Sequence, residues 1–138
     1  MGGNNLLLGV IADDLTGAND TGVQFAKKGL KTFVLLDASV PTPFTGEADV
    51  TVWNTDSRAL PPDRAKEAAA FAAADIRRLN IPHVYKKIDS TLRGNIGAEI
   101  DGIIETLALP FAVVAPAFPQ AGRTTRAGVH LLAGRPVA

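Results

Sequence analysis

The sequence contains no cysteine, which removes disulfides, thiolate metal sites and cysteine nucleophiles from consideration and leaves the compartment open. It has no excess charge of either sign, since 14 Lys and Arg balance 14 Asp and Glu. No net field draws the chain to nucleic acid or to an anionic membrane, so a polyanionic ligand has to be met by a local cluster of cations. It has no apolar run of membrane-spanning length. The N-terminal run LLLGVIA is closed by Asp13 and Asp14, with neither a basic leader nor a small-residue cleavage site, and reads as a buried strand. A cytoplasmic setting is the simplest expectation. Histidines are scarce too: His83 and His130 stand far apart without ligand spacing, and both read as structural. Finally, neither a GxxxxGK[ST] phosphate loop nor a kinase glycine loop occurs, so no nucleotide site is visible.

What is present fits one domain, because 138 residues suffice for a single continuous core. LLLGVIA is followed by TGANDTGVQFAKKG, which reads as a helix with Thr16 as its N-cap and Gly29 closing it. KTFVLL is a second strand, residues 37–47 a loop, and ADVTVWN a third strand. PPDRAKEAAAFAAADIRRLN is a helix with prolines at its start and Ala65, Ala69, Ala72, Ile76 and Leu79 on one face. HVYKKI is a fourth strand, and Ile96, Ile100, Ile103, Ile104 and Leu107 mark a third helix. PFAVVAPA is a fifth strand, while GVHLLAGRPVA forms a hairpin turning near Ala133, Gly134 and Arg135. Trp53 and Tyr85 read as core residues. The alternation predicts an α/β, Rossmann-like, mostly parallel sheet of about five strands with helices on both faces, ending in a β-hairpin. Such sheets bind ligands outside the carboxyl ends of their strands. The hairpin has no closing element after it, so the single domain spanning residues 1–138 is expected to be part of a larger architecture.

Every strand end in this scheme is polar. The first carries Asp13 and Asp14, the third Asn54, Asp56, Ser57 and Arg58, the fourth Lys87, Asp89, Ser90 and Arg93, and the fifth leads to Gln120, Gly122 and Arg123. One polar strand end is ordinary surface; four on one rim point to a site. The stretch KIDSTLRGN joins the fourth strand to the third helix. A helix beginning near Thr91 to Asn95 offers unpaired N–H groups, and Lys87 and Arg93 add full charges, which suits a carboxylate or a phosphate. A carboxylate from Asp13 or Asp14 then has two possible uses. It orients a hydroxyl and accepts its proton, or it holds a magnesium ion; the residues leave both open. Phosphoryl transfer fits, because it depends on positioning and charge neutralisation.

IADDLTGANDTG, NTDSR, YKKIDSTLRGNIGAE and PAFPQAGRTT, in that order, resemble the N-terminal domain of the four-carbon acid sugar kinases, also called the domain-of-unknown-function 1537 family. The resemblance runs from about Leu6 to the chain end. It implies an ATP-dependent kinase acting on the terminal hydroxyl of threonate, erythronate or 3-oxo-tetronate. It also implies that ATP and Mg2+ are held by a C-terminal nucleotide-binding domain outside this chain, which alone is expected to be inactive. Carried over residue by residue, Asp14, Arg58, Lys87, Asp89, Ser90, Arg93 and Gly122 surround the acid sugar, with Asp13 and Arg123 close by. Asp14 or Asp13 is then the catalytic residue, and no metal ligand set is assigned within the chain. Two other readings remain: a stand-alone acid-sugar-binding module, and a phosphoacceptor receiver domain built on Asp13, Asp14, Asp56 and Lys87. Which tetronate is bound, and the oligomeric state, stay open.

Overall fold

The apolar run at the N-terminus forms β1 (Leu8–Ala12), and its alternation decides the layering of the fold. In the computed structural model, which describes residues 7–42 and 47–137, β1 pairs in parallel with β3 (Val50–Asn54) on one side and β4 (His83–Lys87) on the other. The strand β2 (Thr32–Leu35) adds to β3, giving the order β2-β3-β1-β4. Leu6, residues 43–46 of the expected loop and Ala138 lie outside the described residues.

Because side chains alternate across a strand, β1 feeds two cores. Val10 and Ala12 join Val50, Val52 and Ala18 beneath α1 (Leu15–Ala26). Ile11 joins Trp53, Ala69, Ala72, Ile76 and Ile103 beneath α2 (Pro62–Arg78) and α3 (Ile96–Leu107). The alanine stripe of α2 is therefore a packing surface. Its neighbour α3 approaches so closely that a Cβ on Gly102 would lie 2.6 Å from the Lys66 carbonyl oxygen. Among the described residues, no helix is long and apolar enough to cross a membrane.

Three elements differ from the sequence expectation. The first helix begins two residues earlier: Asp14, with extended backbone, is the N-cap and accepts the Gly17 N–H at 2.9 Å, while Thr16 lies inside the helix. Aspartate caps as well as threonine does, and the tight β1–α1 turn favours the earlier position. The fifth strand does not form. Residues 110–117 carry no strand pairing, so the parallel sheet has four strands among the described residues and β4 bonds only to β1. Proline at 110 and 116 removes ladder donors at both ends of the segment. Its Phe111 and Val113 are 71% and 85% exposed beside a cavity of about 350 Å³ lined also by Val84, Tyr85 and Ile103. Trp53 is fully buried as expected, but Tyr85, on the edge strand, is 45% exposed.

The tail is the third difference. The expected hairpin, β6 (Val129–Leu132) with β7 (Arg135–Pro136), turns at Ala133–Gly134 and is extended by β5 (Arg123–Arg126) through a second turn at Ala127–Gly128. All four turn residues have positive φ, between 47° and 79°, the geometry that two-residue antiparallel turns require.

Candidate functional site

Three strand ends meet around one guanidinium. After β3 the chain follows the end of β1: Thr55 N–H donates to the Ala12 carbonyl at 2.9 Å, and Ser57 and Arg58 N–H both donate to the Asp13 carbonyl, at 3.0 and 3.2 Å. That turn carries Arg58 over the two aspartates. Its Nε donates to Asp13 Oδ2 at 2.8 Å and its Nη1 to Asp14 Oδ2 at 2.8 Å, while Nη2 reaches Asp13 Oδ1 and Asp14 Oδ1, both at 3.0 Å. One planar cation thus contacts all four carboxylate oxygens and leaves the trio with a single negative charge. The hydrogen bonds Arg58 donates to Asp13 raise its pKa, against its desolvation, helped by the charges of Asp13, Asp14 and Asp89. Asp13 is 2% exposed and Asp14 24% exposed, so only the second is open to a ligand.

The loop from Ile88 to Asn95 covers this clamp. Gly94 has φ +97°, and a Cβ there would sit 2.8 Å from Asp13 Oδ2. Gly94→Ala combines a left-handed backbone with a clash against a buried carboxylate. It is expected to cost about 1–3 kcal/mol in a denaturant titration, and an unchanged midpoint would show that the loop shifts freely.

Within the loop, Asp89 is occupied with its own backbone. Its Oδ2 accepts the Thr91 N–H at 3.2 Å, the Thr91 hydroxyl at 2.5 Å and Arg93 Nε at 2.9 Å; Arg93 Nη2 donates to Oδ1 at 3.1 Å. The Arg93 hydrogen bond, ahead of that from Thr91, holds the Asp89 carboxyl well below the usual carboxylate range. A depressed acid stabilises the fold above its unfolded pKa of about 4 and loses that contribution as pH falls further. Arg93 is itself 68% exposed. The Lys87 ammonium lies beside Gly17 in the first turn of α1 and donates to the Ile88 carbonyl at 2.8 Å. Among the described residues it has no carboxylate partner. At the start of α3, Asn95 caps nothing with its side chain, which donates instead to the Ser57 and Leu60 carbonyls, so the first-turn N–H groups stay uncapped as expected.

The hairpin sheet reaches the loop through His130, which is 7% exposed. Its Nε2 lies 2.7 Å from the Ser90 carbonyl, which can only accept, so Nε2 carries the proton and Nδ1, 3.0 Å from Thr125 Oγ1, accepts in the neutral ring. Arg123 pairs with Leu132, and Thr125 pairs with His130, which puts all four on one face of the hairpin sheet. The Arg123 Nε is buried with no hydrogen-bond partner among the described residues. Gly122, with φ +70°, closes the short 3-10 turn Pro119–Ala121. Asp13, Asp14, Arg58, Lys87, Asp89 and Arg93 are therefore gathered at one rim, and Ser90 is tied to the hairpin. Neither Gly122 nor Arg123 bonds to the charged cluster among the described residues.

Sequence reasoning missed a buried network below the clamp. Glu99, 1% exposed, accepts the Ser57 hydroxyl on Oε1 and has Lys86 Nζ 2.9 Å from Oε2. The available signal was periodicity: Glu99 falls on the helix face of Ile96 and Ile103, where an apolar residue is expected. A cavity of about 510 Å³ also opens at the ends of β2 and β3, lined by Asp37, Asn54, Asp56, Arg64, Glu67 and Phe71. Its carboxylates outnumber its cations, which is unfavourable for an acid, so the chemistry favours the charged rim.

Residues 8–138 match the family model described as "Sugar-binding N-terminal domain". A D-threonate kinase of Salmonella typhimurium is 51% identical over 129 residues, covering 93% of this chain and 30% of the relative. A D-erythronate kinase of Heliobacterium modesticaldum is 45% identical over 131 residues, with the same two coverages. Among solved structures, a domain-of-unknown-function 1537 protein from Bordetella bronchiseptica, a domain-swapped dimer with bound citrate, superposes with a TM-score of 0.87 at 39% identity. The match covers 94% of this chain and 33% of that one. The chain thus spans about a third of the length of the proteins it matches.

Proposed function

The chain belongs to the sugar-binding N-terminal domain family, and from that premise we propose that it is the substrate-binding part of an ATP-dependent four-carbon acid sugar kinase. The observation that carries the proposal is the Asp13–Asp14–Arg58 clamp beside two cations, Lys87 and Arg93, at the carboxyl ends of β1, β3 and β4. In this reading Lys87, Arg93 and the uncapped start of α3 take the substrate carboxylate. Asp14 takes the hydroxyl to be phosphorylated, Ser90 bonds a second hydroxyl, and Asp89 shapes the loop. Gly122 and Arg123 close over the acid sugar from the hairpin. The hydroxyl oxygen forms a bond to the γ-phosphorus of ATP, the bond to the β,γ-bridging oxygen breaks, ADP departs, and the hydroxyl proton passes to Asp14.

Magnesium does not fit at Asp13 and Asp14, because Arg58 already contacts all four of their oxygens. Among the described residues no group of three or more potential ligands gathers elsewhere. ATP and Mg2+ are assigned instead to the additional length of the kinase relatives, so no step is routed through a metal here. A cytoplasmic, metabolic setting follows from the same proposal. The receiver alternative has little support: Asp56 lines the cavity at the ends of β2 and β3, whereas Asp13 and Asp14 are engaged by Arg58.

A thermal-shift panel tests the proposal on this chain. A saturating C4 acid sugar is expected to raise the melting temperature, with about 2.7 kcal/mol of stabilisation at a hundredfold excess over Kd, while nucleotide alone leaves it unchanged. Stabilisation by ATP and not by any tetronate would overturn the division of labour.

A further inference from the structure

We propose that Glu99 is the positioning residue of the Asp13–Asp14–Arg58 clamp, acting through Ser57 and counter-charged by Lys86. Glu99 stands on the apolar face of α3, where leucine would cost no charge burial. A buried ion pair is by itself no gain in stability over apolar packing, so its worth lies in the geometry it imposes. That geometry is specific. The Ser57 and Arg58 N–H groups converge on the single Asp13 carbonyl, which alone would let the segment pivot. The bond from the Ser57 hydroxyl to Glu99 Oε1 gives it a further point of attachment, through the side chain. Ser57 is fully buried, and its Oγ lies 2.7 Å from Thr55 Oγ1, which in turn lies 2.9 Å from the Ala12 carbonyl.

Lys86 completes the arrangement. Its side chain is 9% exposed, its ammonium neutralises Glu99, and it also donates to the Lys87 carbonyl at 2.9 Å. The pair therefore links α3 to the turn that aims Arg58 and to the end of β4 that carries Lys87. Loss of Glu99 leaves the Ser57 hydroxyl with Thr55 alone, and the turn that aims the guanidinium at both carboxylates is then less firmly held. The consequence for ligand binding rests on the proposed acid-sugar site; the geometry itself does not.

The test reads the clamp directly. Arg58 Nε–H donates to a nearly buried carboxylate and should exchange slowly in a nitrogen-15 NMR experiment. Glu99→Ala is expected to speed that exchange about tenfold or more relative to the core amides of β1, and to weaken tetronate binding about tenfold. Glu99→Gln should restore both to within about threefold, because its amide oxygen can accept from Lys86 while its NH2 donates to the Ser57 oxygen, whose hydroxyl turns to Thr55. Ser57→Ala, which removes only a hydroxyl, should reproduce Glu99→Ala and decides the matter if that variant does not fold. Unchanged Arg58 exchange in a folded Glu99→Ala or Ser57→Ala chain overturns the inference. Faster exchange in a chain whose wild type binds no tetronate would uphold the positioning role and sink the proposed function.

Discussion

Asp14→Asn is expected to lower turnover by roughly 10²- to 10⁴-fold, the usual range for loss of a general base, in a form of the protein that also carries a nucleotide-binding part. Asparagine is as good an N-cap as aspartate, so the Gly17 N–H keeps its acceptor and α1 keeps its start. Arg58 keeps both bonds to Asp13 and one to the amide oxygen. The amide NH2 then replaces Oδ2 opposite Arg58 Nη1, so the melting temperature should fall modestly and KM move little, while kcat takes the large loss. Arg58 does not bar Asp14 from the role, because each carboxylate oxygen offers more than one acceptor direction and the residue is 24% exposed. Asp13, at 2% exposure, has no comparable access, which ranks the two aspartates that the sequence left level. Full turnover with an unchanged melting temperature would remove Asp14 from the mechanism.

The second large effect is on stability. Arg58→Leu leaves two adjacent carboxylates, one of them buried, without their cation, and is expected to cost on the order of 3 kcal/mol at pH 7. Its pH dependence identifies the cause. In the variant a buried carboxylate without its cation disfavours the charged form. The folded state then binds more protons, and the variant should regain stability as pH falls from 7 towards 5. Arg58→Lys should lie between, since an ammonium supplies charge but cannot bridge both carboxylates. Denaturant midpoints measured at pH 7 and pH 5 decide; a deficit that does not change with pH would assign Arg58 to packing alone.

Particular residues show why much of this was legible in the sequence. Apolar alternation around Val10, Ile11 and Ala12 carries the two-faced sheet, because burial on both sides leaves a continuous run. Asp13, Asp14, Arg58, Lys87, Asp89 and Arg93 were legible as a rim because parallel strands bring their carboxyl ends together. Residues 110–117 were not legible, since an apolar run specifies burial but not whether a neighbouring strand lies in register. The N-cap falls to Asp14 and not to Thr16 for a related reason: both are good caps, and only the tightness of the turn selects one. Glu99 with Lys86 and His130 with Ser90 are pairs separated by 13 and 40 positions, and no local pattern records who meets whom across a fold.

The open side of β4 bears on how the chain behaves at high concentration. Among the described residues its outer backbone groups have no strand partner and lie beside exposed Phe111 and Val113, a surface on which another strand can grow, and a formal net charge of zero provides little repulsion between molecules. Lys87 on that strand and the prolines at 110 and 116 are the residue types that interrupt such growth. Colloidal stability of the protein is therefore governed at the same strand that carries Lys87 to the charged rim, and changing that lysine would alter solubility together with the charge of the rim.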